Sequence, residues 1–251
     1  MSRHLDEHSF DHRLWRPPDA PWVGHMVWND LLFAHWPVPA GALRAHVPAP
    51  LEIDEFDGTA WVAVVPFLMT GVRLRWTPPF PVLSRTLELN VRTYVRYRGQ
   101  QGVYFFSLDA ERWIVVAGAR ATFHLNYLRA RMSLERSPGD RVRYQSKRIH
   151  PGAPPAELRM SYWPVGEPYL SERSSLEHWL TERYALFTSD PKGGIIRGDI
   201  HHAQWPLQRA EAEWELNRMT EQIGLVLPDL PPLLHFAKRI GVRVWARKRL
   251  E

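Results

Sequence analysis

Residues 85–97 read RTLELNVRTYVRY, and they alternate with period two. Leu87, Leu89, Val91, Thr93 and Val95 fall on one side, and Glu88, Asn90, Arg92, Tyr94 and Arg96 on the other. Successive side chains of a strand point to opposite faces, so the pattern predicts a strand with one apolar and one polar face. The apolar face requires a core. The polar face carries a carboxylate, an amide and a guanidinium, spaced by about 7 Å per two-residue step. Such a face is either a solvated charge ladder or the wall of a polar cavity, and the residues alone leave both open.

The next 35 or so residues constrain the chain further. Residues 99–102 predict a turn, and residues 103–108 a second strand with Val103, Phe105 and Ser107 on one face and Tyr104, Phe106 and Leu108 on the other. Aromatic residues on both faces predict cover on both sides. Asp109 is placed to cap a helix in which Trp113, Val116, Ala117 and Arg120 recur at helical spacing. That stripe aims Arg120 inward. A cation suits a helix C-terminus, where the dipole favours it, and it also suits an anionic partner.

Six strings, LLFAHWPV (31–38), LELNVRTYV (87–95), GVYFFSLDA (102–110), TERYALF (181–187), HHAQWPLQ (201–208) and LLHFA (233–237), resemble the DUF2071 family. They cover nearly the whole chain in order. That family is similar in fold to acetoacetate decarboxylase, so the resemblance implies an α+β, mainly antiparallel β architecture. It would be an acetoacetate decarboxylase-like β-barrel, closed or nearly closed around a cavity, with a few short helices. In the decarboxylase a buried lysine condenses with the substrate ketone, activated by a neighbouring lysine. The resemblance aligns that pair with Asn126-Tyr127 or Tyr127-Leu128, neither of which holds an amine. The decarboxylase's pocket glutamate falls on Glu88, and an arginine before its N-terminal helix falls on His35. The resemblance therefore implies the fold and the pocket without the Schiff-base reaction.

Elsewhere the chain reads as short strands and punctuation. Residues 1–21 predict a flexible N-terminal arm, and residues 22–251 a single domain with no linker or repeat. Strands are predicted at 22–36, 51–56, 59–74 with a break near Pro66, 128–136, 141–149, 157–163, 184–189, 195–201 and 233–245 with a bend at Gly241. Helices are predicted at 39–47, from a Ser174/Glu177 capping box to about Tyr184, and at 218–223. Asp57-Gly58 and residues 190–194 read as hairpin turns. Residues 210–216 have helix-forming composition, yet Glu211, Glu213 and Glu215 alternate with Ala212, Trp214 and Leu216, which predicts a strand.

Composition narrows the chemistry. With no cysteine there are no disulfides, thiolate sites or cysteine nucleophiles. Lysine occurs at 147, 192, 238 and 248, all far in sequence from 126–128. Among the twelve histidines, adjacent His201 and His202 would point to opposite faces of a strand, and no other pair suits a metal on a sound element, so neither metal nor cofactor is expected. The net charge of +5 is carried by arginines spread over every segment, which argues against a nucleic-acid face. No apolar run approaches a membrane span, and the N-terminus is polar, so a soluble cytoplasmic protein is expected. The oligomeric state stays open.

Three functions fit these residues. The first is a binding or catalytic pocket for a small anionic organic molecule, lined by Glu88, Arg92, Arg120, Tyr127 and His35. Inward arginine favours a carboxylate, since a guanidinium pairs with it bidentately. The second is a non-catalytic binding or sensor protein on the same fold. Nucleic-acid binding is a distant third.

Overall fold

The computed structural model describes residues 10–81, 85–114, 116, 125–190 and 192–250. The elements in chain order are β1 (Gly24–Val38), α1 (Ala40–Arg44), β2 (Glu52–Ile53), β3 (Ala60–Leu74), β4 (Arg85–Tyr97), β5 (Gln100–Ala110), β6 (Tyr127–Ser137), β7 (Arg141–Arg148) and β8 (Glu157–Tyr169). Then come α2 (Leu176–Thr181), β9 (Ala185–Ser189), β10 (Ile195–His201), β11 (Leu207–Asn217), a 3-10 turn (Glu221–Ile223), β12 (Leu233–Val244) and β13 (Lys248–Leu250). The strands form one large, mostly antiparallel sheet.

That sheet closes on itself twice, because two of its strands fork. One edge of β5 pairs with β4 throughout. The other edge pairs with β9 at Val103 and Tyr104 and with β6 at Leu108 to Ala110. Likewise, β12 pairs with β11 near its start and with β10 near its end. The wall β12-β1-β3-β4-β5 is therefore shared by two enclosures, one completed by β6, β7, β8 and β11, the other by β9 and β10.

The period-two pattern of the wall strands fills the two enclosures differently. Leu32 and Ala34 of β1, Val62 and Val64 of β3, and Leu87, Leu89 and Val91 of β4 meet Tyr144, Met160, Tyr162 and Phe236 in the larger core. The alternate residues Leu31, Phe33, Ala63, Val65 and Phe67 face the other way and pack with Trp205, Ile240 and Val242. Each strand thus serves both sides without a polar face in water.

Several expectations need correction. The turn predicted at 99–102 is tighter: Arg98 and Gly99 both take positive φ (47° and 79°), the two-residue hairpin geometry, and β5 starts at Gln100. A bulge between Val91 and Arg92 lets Phe106 and Ser107 of β5 both face the larger core, which breaks the expected alternation. Asp109 is not the cap of the expected helix, which is helical at Trp113, Ile114 and Val116 and whose Ala117 and Arg120 lie outside the described residues. Asp109 lies buried in β5 and pairs with Arg148 at 2.8 Å. Pro66 does not interrupt β3; the irregularity is in β1, whose register shifts between Asn29 and Ala34 with Asp30 at φ 47°. A proline cannot donate to a ladder, so a bulge in the neighbour accommodates it. Helix α2 is capped by Ser175 rather than Ser174, with its hydroxyl accepting from the His178 amide at 3.2 Å, and it ends at Thr181. The strand expected at 51–56 is two residues long, and β13 is an element that periodicity does not predict.

The described part of the expected arm, 10–21, holds neither helix nor strand and lies against the fold. Arg13 is buried, donates to the Ile200 carbonyl at 2.9 Å and sits over the Tyr184 ring. Two glutamates of β11 meet arginines of β7 across the intervening β8: Arg141 pairs with Glu213, and Arg143 with Glu215. Arg141, Arg143 and Lys147 of the basic run are thus one half of an interleaved surface ladder of charges.

Candidate functional site

The enclosure bounded by β9 and β10 is not filled. It holds a cavity of about 340 Å³. Glu88, Asn90 and Arg92 line it along β4, the polar face read from the sequence. The remaining lining is mostly apolar and aromatic, including Trp28, Phe33, Phe67, Phe105 and Trp205. Trp28 stacks on Trp205 at 6.0 Å, and Phe33 meets Trp205 edge-on at 4.9 Å.

Glu88 is held from both sides of the wall. Tyr127, the first residue of β6, donates its hydroxyl to Glu88 Oε2 at 2.8 Å, and Tyr144 from the larger core donates to the Glu88 carbonyl at 2.8 Å. Burial pushes the Glu88 carboxyl up to about 7, against the opposing hydrogen bonds from Tyr127 and Asn90. Burial and the neighbouring carboxylate raise the Tyr127 hydroxyl well above its ordinary value. The pair can therefore hold or release one proton near neutrality at Glu88, and Tyr127 stays a donor.

Arg92 is buried at the inner end of this wall. Its guanidinium lies over the Phe33 ring at 5.2 Å and the Tyr94 ring at 5.8 Å. Its Nε and Nη2 have no hydrogen-bond partner among the described residues. No ion pair joins Arg92 to Glu88 among the described residues, for Arg92 pairs in register with Ala63 and Glu88 with Phe67. Four residues of strand separate them by about 13 Å of backbone. Arg183, which follows α2, also lines the cavity, but it is neutralised: Nη1 bonds Asp54 Oδ2 at 2.7 Å and Nε bonds the Trp179 carbonyl. Asp54 also serves Arg96, so its charge is already shared.

The expected site residues thus divide. Glu88, Arg92 and Tyr127 share the cavity lining. His35 is not on it; it is buried behind, with Nε2 2.6 Å from the Tyr94 hydroxyl, and burial followed by the Arg92 charge holds its pKa well below the ordinary value. Arg120 lies outside the described residues. Arg183, His202 and Trp205 are lining residues that sequence reasoning did not select, although the strings TERYALF and HHAQWPLQ contain all three. Burial pushes His202 down to about 3, which leaves it neutral.

No lysine lines the cavity among the described residues. Lys147 is exposed beside Glu157, Lys238 bridges Asp30 and Asp140, and Lys192 and Lys248 are exposed. No group of three or more metal-binding side chains occurs among the described residues. Among them, too, no helix is long and apolar enough to cross a membrane.

The model of the DUF2071 family, described as an uncharacterized conserved protein, matches residues 25–241. The chain belongs to the DUF2071 family. It is 45% identical over 232 residues to the uncharacterized protein YqjF of Bacillus subtilis (strain 168), covering 92% of this chain and 94% of that one. Among solved structures it resembles the enduracididine biosynthesis enzyme MppR complexed with pyruvate, with a TM-score of 0.63 at 11% identity, over 96% of this chain and 93% of that one. It also resembles acetoacetate decarboxylase from Legionella pneumophila, with a TM-score of 0.62 at 13% identity, over 98% and 94% of the two chains. An acetoacetate decarboxylase-like enzyme from Sphingomonas wittichii RW1 matches with a TM-score of 0.61 at 15% identity, over 92% and 94%. At these identities the likeness is one of fold. The DUF2071 chain thus has an acetoacetate decarboxylase-like architecture, mostly sheet with a few short helices.

Proposed function

We propose that the cavity beside β4 binds a small organic acid, with Arg92 holding its carboxylate and the Glu88–Tyr127 pair meeting a second polar group. The observation that carries this reading is the buried Arg92 guanidinium, which lines the cavity with two nitrogens unpartnered among the described residues. Leaving a buried cation unpaired costs on the order of several kcal/mol. The nearby carboxylate Asp54 is already engaged by Arg183 and Arg96. A carboxylate ligand supplies the missing charge and matches the guanidinium fork. One structural neighbour was solved with pyruvate, a small organic acid, which is in keeping with this ligand class.

The proposed chemistry uses no Schiff base. Glu88, poised near neutrality, exchanges a proton with a bound carbonyl or hydroxyl, while Tyr127 keeps it oriented. Binding without turnover uses the same residues. A cytoplasmic location, without nucleic acid or membrane, is part of the same proposal. A thermal-shift series of small carboxylates against wild type and Arg92→Gln tests it. Acids should stabilise the wild type and not the variant; equal stabilisation of both, or none of either, would reject Arg92 as the anchor.

A further inference from the structure

The shape and lining of the cavity say more about the occupant than its charge does. Arg92 sits in register with Ala63, and Val72 lies nine residues further along the same strand, on the order of 30 Å of backbone away. Both residues line one cavity, so it is elongated along the wall. Its two ends differ. The Arg92 end is buried, whereas at the other end Leu74 is 53% and Val23 37% exposed, and Val72 and Phe80 are half-buried. The opening is therefore at the end away from Arg92, and the guanidinium, without a counter-charge among the described residues, is at the closed one.

Volume gives the size of what fits. At about 30 Å³ per water, 340 Å³ corresponds to roughly eleven water-sized groups. A three-carbon acid has about half that number of non-hydrogen atoms. It would leave the Trp28, Phe67 and Trp205 surfaces facing empty space or water that finds few partners there.

Resting only on the reading of Arg92 as a carboxylate anchor, and not on a second polar group at Glu88, we infer that the ligand is an amphipathic monocarboxylic acid. It enters carboxylate first, and an apolar body of about eight to ten non-hydrogen atoms runs from Arg92 towards Phe67, about 13 Å along the strand from Ala63. Its carboxylate meets Arg92, and its body lies along Phe67, Trp28 and Trp205. Each buried methylene raises affinity about fourfold, so chain length is a steep and measurable variable.

Calorimetric titration with pyruvate, octanoate, 4-phenylbutanoate and 1-octanol tests this on the intact chain. Octanoate and 4-phenylbutanoate should bind at least about 30-fold more tightly than pyruvate. Pyruvate binding as tightly as octanoate would overturn the size inference and leave the carboxylate anchor standing. Octanol binding as tightly as octanoate would remove the anchor itself. Absence of binding by all four at millimolar concentration would overturn both.

Discussion

The two enclosures on either side of β4 are built from one strand pattern and have opposite contents. On one side Leu87, Leu89 and Val91 enter a packed core, in which Tyr144 and Tyr162 spend their hydroxyls on the backbone carbonyls of Glu88 and Asp30. On the other, Glu88, Asn90 and Arg92 face a cavity and keep a carboxyl near neutrality and a guanidinium without a counter-charge among the described residues. Both faces are buried, so burial alone does not separate core from site. Pairing of charges does. Among the described residues the packed enclosure pairs Asp109 with Arg148, whereas the cavity leaves Arg92 without a counter-charge, as a binding enclosure does for its ligand.

The largest expected effect comes from the packed side. Leu89 is fully buried, and Leu89→Ala should cost about 3 kcal/mol in urea denaturation, from lost burial and a residual void. A cost under about 1 kcal/mol would mean that this side is as loosely filled as the other.

Glu88 gives the next effect, visible in pH. Its folded pKa of about 7 lies above the unfolded value of 4.5, so its favourable contribution is complete below pH 4.5 and fades as pH rises through 7. The loss by pH 8 is about 3 kcal/mol at most. Glu88→Gln should therefore be close to wild type at pH 5 and more stable at pH 8, measured as the difference between the two proteins' denaturation midpoints. Glu182, also pushed up to about 7, and the depressed histidines add their own slopes to both proteins and cancel in that difference. A pH-independent difference would place Glu88 in a wetter setting than the cavity wall.

A smaller effect tests the fork that separates the enclosures. A Cβ on Gly102 would come within 2.6 Å of the Ala185 carbonyl and of the Phe187 ring, where β9 leaves β5. Backbone cannot give way cheaply, so Gly102→Ala should cost about 2 kcal/mol and loosen the cavity side first. Hydrogen exchange would register this as faster opening of β9 and β10 than of β7 and β8.

The sequence made one of these enclosures legible and half-hid the other. The clean alternation of 87–95 placed Glu88 and Arg92 together on one polar face, leaving open whether it met solvent or a cavity, and the same logic recovered β11 despite its glutamates. It failed where register depends on a neighbour. The bulge opposite Phe106 is set by β4 pairing, and the shift in β1 is set by Pro66 on β3. The Asp109–Arg148 pair, 39 residues apart, joins strands that meet only once the sheet closes. His35 was carried over by resemblance onto a position behind Tyr94, one side chain away from the cavity. Arg183 and Trp205 were invisible for another reason: helix α2 and the turn before β11 bring them in, and no local period marks a residue as facing a void.

The most direct test of the anion-binding cavity is Arg92→Met, which keeps the length and removes the charge. With the guanidinium lacking a counter-charge among the described residues, the variant should be as stable as wild type or more stable by about 1 kcal/mol, while octanoate binding falls at least about 100-fold in the same calorimeter. A variant that loses several kcal/mol of stability, yet binds octanoate as wild type does, would make Arg92 a structural residue and contradict the account.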